Sequence, residues 1–177
     1  MKKLFVSALL LVSTISTLGA EFNKPILLTS VGQSADVQMV KALLKKGGID
    51  AIFDKDITAS EIKDEKTLIL AIGGSSKGLG AAGIKAEDEI VRAETLIQAA
   101  KDKGMKTIGM HIGGSGKRGE LSDKFIYATA PKMDYLIVVK EGNQDGIFTK
   151  IAQENNIKLD SVNKIVEAVN PLKKAFE

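Results

Sequence analysis

The chain has no cysteine and no tryptophan, one histidine, three prolines and only 5% aromatic residues in 177. Without cysteine there are no disulfides, no thiolate metal ligands and no lipid attachment at a processed N-terminal cysteine. One histidine and no cluster of acids at ligand spacing argue against a metal centre, so no metal is expected. With so few aromatics the core must be built from Ile, Leu, Val, Ala and Met. An excess of charge of one sign is also lacking. The chain has 25 basic and 22 acidic residues, and setting aside Lys2 and Lys3 leaves 23 basic. The overall pI of 8.9 partly reflects those two lysines. A nucleic-acid binder normally carries a basic footprint, so no nucleic-acid partner is expected. No long linker or low-complexity stretch divides the chain.

The N-terminus has three parts. Lys2 and Lys3 are followed by an apolar run from Leu4 to Ile15, then by the small residues Thr17, Gly19 and Ala20, and the chain turns polar at Glu21. That is the pattern of a secretory signal peptide. The apolar run is shorter than the roughly 20 residues that span a bilayer. Residues 1–20 are therefore expected to be a signal peptide, cleaved after Gly19 or Ala20; a retained anchor is the alternative. Residues 21–177 have the length of one domain. The expected location is periplasmic or secreted, with no membrane contact after cleavage.

Within that domain, short apolar runs alternate with helical patterns. Strands are expected over 25–30, 50–54, 67–72, 107–112 and 135–139. Thr67 to Ile72 is apolar almost throughout, as in a parallel strand buried on both faces. Helices are expected over 34–46, where Val37, Val40, Leu43 and Leu44 share a face, over 86–103, and over 122–129, 145–155 and 163–176. Ser34 is a candidate N-cap. Glu87, Asp88 and Glu89 suit the positive end of a helix dipole. Gly73 to Gly83 is expected to be a long loop. Strand–crossover–strand repetition predicts a single α/β domain: a doubly wound, mostly parallel sheet of about five strands with helices on both faces, flavodoxin- or Rossmann-like. Ligands in such sheets bind beyond the carboxyl ends of the strands, where the strand order reverses.

The loops at that edge carry Gly and small polar residues. Glycine lets backbone approach closely and leaves N–H groups free to face an anion. Two of the loops share the pattern I-G-G-S-x-K, Ile72 to Lys77 and Ile112 to Lys117, 40 residues apart. If their strands are neighbours, the loops form two lips of one cleft, suited to a carboxylate or phosphate. The candidate ligand-binding residues are Gln33, Ser34, Gly74, Ser75, Ser76, Lys77, His111, Gly114, Ser115, Lys117, Arg118 and Asn143. Against this, Gly-Gly-Ser is common turn chemistry, and the basic residues would then simply be solvated. Ser34 and Asp36 read most simply as caps.

Two catalogue patterns also occur. Gly78 to Gly83 fits G-x-G-x-x-G, but it follows the third strand after an insertion and lacks the acid that closes the next strand; no dinucleotide or other cofactor is expected. Gly74 to Gly78 fits G-x-S-x-G, the nucleophile elbow, which needs a helix to begin at once. Ser76 with His111 as base is the catalytic alternative, with Asp123 or Asp145 to orient the histidine. As the single histidine of a buried strand, His111 reads more simply as a hydrogen-bonded core residue.

The stretches LLTSVGQSADVQMVKALL, IGGSSKGLGAAGI, IGMHIGG and YLIVVKEGNQDGIFTKIA resemble an uncharacterised bacterial domain-of-unknown-function family of exported small α/β proteins. The resemblance covers nearly all of residues 21–177. It implies a shared fold and carries no mechanism or site residue. Three functions follow as expectations. The first is an exported protein that binds a small polar, anionic molecule. The second is a serine-dependent hydrolase or transferase using Ser76 and His111. The third is a non-catalytic module of the envelope that binds a partner protein.

Overall fold

A computed structural model describes residues 21–177; the expected signal segment lies outside them. Six strands form one sheet in the order β2-β1-β3-β4-β5-β6, and every neighbouring pair is parallel. They are β1 (Ile26–Val31), β2 (Ile52–Phe53), β3 (Thr67–Ile72), β4 (Lys106–His111), β5 (Tyr135–Val139) and β6 (Lys158–Val162). β1, β3 and β5 are buried along their whole length. This is why their sequences are nearly continuous apolar runs rather than alternating ones.

Helices cover both faces. Helices α1 (Asp36–Lys46) and α6 (Val169–Phe176) pack on one side, where Val40, Leu44 and Leu172 meet Leu28, Ile69 and Ile137. Helices α2 (Ser76–Ala82), α3 (Ala86–Asp102), α4 (Glu120–Thr129) and α5 (Ile147–Glu154) pack on the other, through Leu79, Leu96, Phe125 and Phe148. Among the described residues no helix is long and apolar enough to cross a membrane.

Three elements depart from the sequence expectation. β6 is an additional, sixth strand. Its residues Lys158, Leu159, Asp160, Ser161 and Val162 are mostly half-buried or exposed, so the edge strand carries no apolar run. The span 163–176 is split into a short 3₁₀ turn (Ile165–Ala168) and α6. Most consequentially, the Gly-rich stretch after β3 is a helix rather than a loop. Ser75 caps α2 by accepting a hydrogen bond from the Gly78 N–H at 3.0 Å, Leu79 anchors it in the core, and Gly83 ends it with φ +67. These caps and the buried leucine offset the poor helix propensity of Gly78 and Gly80.

Candidate functional site

The chain leaves β1 to the left of the sheet and β3 to the right. The order therefore reverses between β1 and β3, and the crevice beyond their carboxyl ends is where a ligand of this architecture sits. The loop after β1 is unusual. Gly32 has φ +82, and Gln33, a non-glycine residue, has φ +57. A side chain is held there only because the surroundings fix it. Gln33 makes an antiparallel bridge with Gly74, and its amide donates to Asp56 Oδ1 at 2.9 Å. A Cβ on Gly78 would collide with the Gln33 carbonyl oxygen. Glycine at 78 thus lets α2 press against the β1 loop.

A buried ion pair secures the same loop. Glu89, fully buried on α3, accepts from Arg92 at 2.7 Å and from the Gly32 N–H at 3.0 Å. Arg92 in turn donates to the carbonyls of Ser30 (2.6 Å) and Ile57 (2.8 Å). One acid and one base on a single helical turn therefore pin the end of β1. The sequence reading placed Glu89 at a helix dipole and missed this. The available signal was its place one turn before Ala93 in the buried stripe of α3, with Arg92 three residues on.

The result is a crevice of about 570 Å³ between the start of α1 and α2, lined by Ser30, Gln33, Ser34, Gln38, Lys55, Ser75, Lys77 and neighbouring alanines. Lys55 pairs with Asp56. Lys77 is exposed and has no ion-pair partner among the described residues. Ser34 is buried and accepts from the Asp36 N–H at 3.2 Å.

The loops after β4 and β5 behave differently. β3 and β4 are neighbours, as the cleft argument required. Gly73 and Gly113 both face Asp36, whose Oδ2 would be 3.7 and 2.5 Å from a Cβ at those positions. Their lysines nevertheless diverge. Lys77 lines the crevice, whereas Lys117 lies over Asp36, 3.9 Å from its Oδ1. Arg118 is engaged by internal partners. It donates to Asp123 (2.7 Å), Asp145 (2.8 and 2.9 Å) and the Gly142 carbonyl (2.6 Å). Hydrogen bonds to Asp145 and then Asp123 push the guanidinium pKa up, and the Arg118 hydrogen bond brings Asp145 down to about 2. Asn143 is also used internally: its Oδ1 accepts from the Phe148 N–H and its Nδ2 donates to Thr149, which holds the start of α5. Gly74 donates its N–H to Ser122 Oγ at 3.0 Å. Ser115 opens the 3₁₀ turn Ser115–Lys117, and Gly114, at φ +65, packs by Glu141.

His111 is 1% exposed. Its Nδ1 lies 2.9 Å from the Ile72 carbonyl, which can only accept, so Nδ1 carries the proton. The ring packs on Phe148, and Gly142 presses so close that a Cβ there would lie 2.9 Å from Nε2. Burial pushes the imidazole pKa down, and Arg118 adds to this; the Ile72 carbonyl and Asp36 oppose it. Ser76 is exposed at the start of α2, so a helix does begin directly after the Gly-Gly-Ser turn. Among the described residues no hydrogen bond joins Ser76 to His111. Nor do the described residues contain a group of His, Asp or Glu able to hold a metal ion.

Fold and site together define a small parallel α/β domain with a polar crevice at its switch point. The chain belongs to the family described as Domain of unknown function (DUF6305), whose model matches residues 23–176. No curated protein matches it. Among solved structures it is similar to the psychrotrophic esterase EstA from Pseudoalteromonas sp., with 13% identity, a TM-score of 0.33, and coverage of 77% of this chain and 75% of that one. It is also similar to a GDSL-like lipase from Bacteroides thetaiotaomicron VPI-5482, with 9% identity, a TM-score of 0.36, and coverage of 77% and 66%. Likenesses with TM-scores this low carry no inference about activity or site residues here.

Proposed function

We propose that this is an exported protein that binds a small polar, anionic molecule in the crevice between the β1 loop and α2. The observation that carries the reading is the crevice itself. It stands at the switch point of the sheet, is lined by Gln33, Ser34, Ser75 and Lys77, and presents in Lys77 an ammonium with no ion-pair partner among the described residues. Gln33 is held in the left-handed region by contacts on three sides, which fixes the crevice wall before any ligand arrives. A carboxylate or phosphate would meet Lys77 at the mouth and the side chains of Gln33 and Ser75 within.

The test is a thermal-shift screen of the protein against small carboxylates, phosphates, sugars and nucleotides, with Lys77→Ala alongside. A ligand that binds only the folded state raises the melting temperature with its concentration. An anionic hit that Lys77→Ala abolishes is the expected result. A screen in which every anionic hit survives Lys77→Ala unchanged, or stabilisation by neutral sugars alone, sinks the reading.

One observation favours the hydrolase reading: Ser76 is exposed on a strand–turn–helix junction that does begin a helix at once. It needs a base, and His111 is buried with its Nδ1 engaged by the Ile72 carbonyl. Turnover of an ester panel that Ser76→Ala removes would establish it; unchanged turnover would exclude Ser76 as nucleophile.

A further inference from the structure

Buried charge in this domain is otherwise well partnered. Glu89 has Arg92 and the Gly32 N–H, Glu65 accepts from the Lys63 N–H, and Arg118 has two aspartates and a carbonyl. Asp36 is the exception. Its side chain is 6% exposed, and Oδ2 is buried with no hydrogen-bond partner among the described residues. Leaving a carboxylate oxygen desolvated and unpaired is costly to the fold. Its placement is nonetheless closely specified. Asp36 is the first residue of α1, an 11-residue helix whose dipole favours negative charge there. Gly73 and Gly113 meet it with backbone alone, and any side chain at 113 would bring a Cβ within 2.5 Å of Oδ2. Among the described residues, the cation within ion-pair distance is Lys117, whose ammonium stands 3.9 Å from the other oxygen, beyond hydrogen-bonding distance, on a side chain 43% exposed.

We infer that Asp36 and Lys117 form a recognition pair for a small α-amino or α-hydroxy carboxylate. The ligand's ammonium or hydroxyl would donate to Asp36 Oδ2, and its carboxylate would take the Lys117 ammonium. One acceptor and one adjacent cation match a ligand with a donor next to an anion. A plain carboxylate would leave Oδ2 unpaired, and a plain amine would leave Lys117 without a partner. Lys117 has a flexible stem and is half-exposed, so it can swing out to admit the ligand and close over it. The inference goes beyond the crevice reading and does not rest on it, because neither Asp36 nor Lys117 is among the residues that line the crevice.

The experiment titrates the full-length protein by calorimetry with glycine, glycolate, acetate and methylammonium. Wild type, Asp36→Asn and Lys77→Ala are compared, and the melting temperature of each is recorded. The expected result is at least a tenfold preference for glycine or glycolate over acetate and methylammonium. Asp36→Asn loses it and Lys77→Ala keeps it, and Asp36→Asn melts no lower than wild type. Acetate binding as well as glycine, no binding of any of the four, or a preference unchanged in Asp36→Asn would overturn the inference. A large drop in the melting temperature of Asp36→Asn would also overturn it, because the carboxylate would then be structural. Loss of all binding in Lys77→Ala alone would support the crevice reading and refute this one.

Discussion

The two I-G-G-S-x-K loops start from the same six-residue pattern and end in opposite states. After β3 the pattern runs into Gly78-Leu79-Gly80-Ala81-Ala82. Leu79 is buried, so the chain coils into α2 and leaves Lys77 facing an open crevice. After β4 it runs into Arg118 and then Gly119, which sits at φ +123 and turns the chain away. Arg118 is drawn inward by two aspartates and a carbonyl, and Lys117 is left over Asp36. A shared motif thus sets where a loop lies along the strands, and the residues just beyond it decide what its lysine can do.

That contrast can be broken from either side. The largest effect is expected at the close approach of α2 to the β1 loop. Gly78→Ala should destabilise the domain by about 2–3 kcal/mol, since the Gln33 carbonyl cannot yield as a side chain would. Gly116→Ala, in the second loop, meets nothing within 4 Å. It should stay within about 0.5 kcal/mol of wild type in urea denaturation. Equal losses in the two variants would remove the distinction.

Next in size is the node around Arg118. Arg118→Ala is expected to cost about 2 kcal/mol, because the Gly142 carbonyl and the half-buried Asp123 lose a charged donor. Asp145 is mostly exposed and adds little at neutral pH. Because its pKa is depressed from 3.8 to about 2, its share is present above pH 4 and fades as pH falls towards 2.

The effect of His111 is smaller and appears at milder pH. Its folded pKa lies below the usual 6.5. Between the two values the unfolded chain holds a proton that the folded one refuses, so stability is full above about pH 6.5 and declines as pH falls below it. Denaturation curves at pH 7.5 and 5.5 should show the decline in wild type. His111→Gln should reduce it; an equal decline in both would assign it to other groups.

The smallest stability effect belongs to Lys77, exposed and unpaired. Lys77→Ala should lie within about 0.5 kcal/mol of wild type while abolishing the rise in melting temperature caused by an anion that occupies the crevice. A stability loss comparable to that of Arg118→Ala would mean that Lys77 is a structural residue.

By itself the sequence determined the α/β class and a mostly parallel sheet with helices on both faces. Apolar runs such as Thr67 to Ile72 and Tyr135 to Val139 announce buried parallel strands, and the stripe from Ala93 to Ala100 announces α3, because burial on a periodic backbone needs only local spacing. It also placed the glycine-rich loops at one edge and flagged Gln33, Ser75 and Lys77, which line the crevice. It did not reveal β6, whose residues are half-exposed and carry no burial pattern. Nor did it reveal α2, whose glycines are tolerated for a contact with Gln33 more than 40 residues away in the chain. The tertiary structure alone decided which charges are satisfied. Glu89 reaches Gly32 across 57 residues, Arg118 meets Asp145 across 27, and Asp36 is left with a bare oxygen between glycines of the loops after β3 and β4. Hydrogen-bond partnership depends on distances of a few ångströms between segments that the topology brings together, and no local pattern encodes those distances.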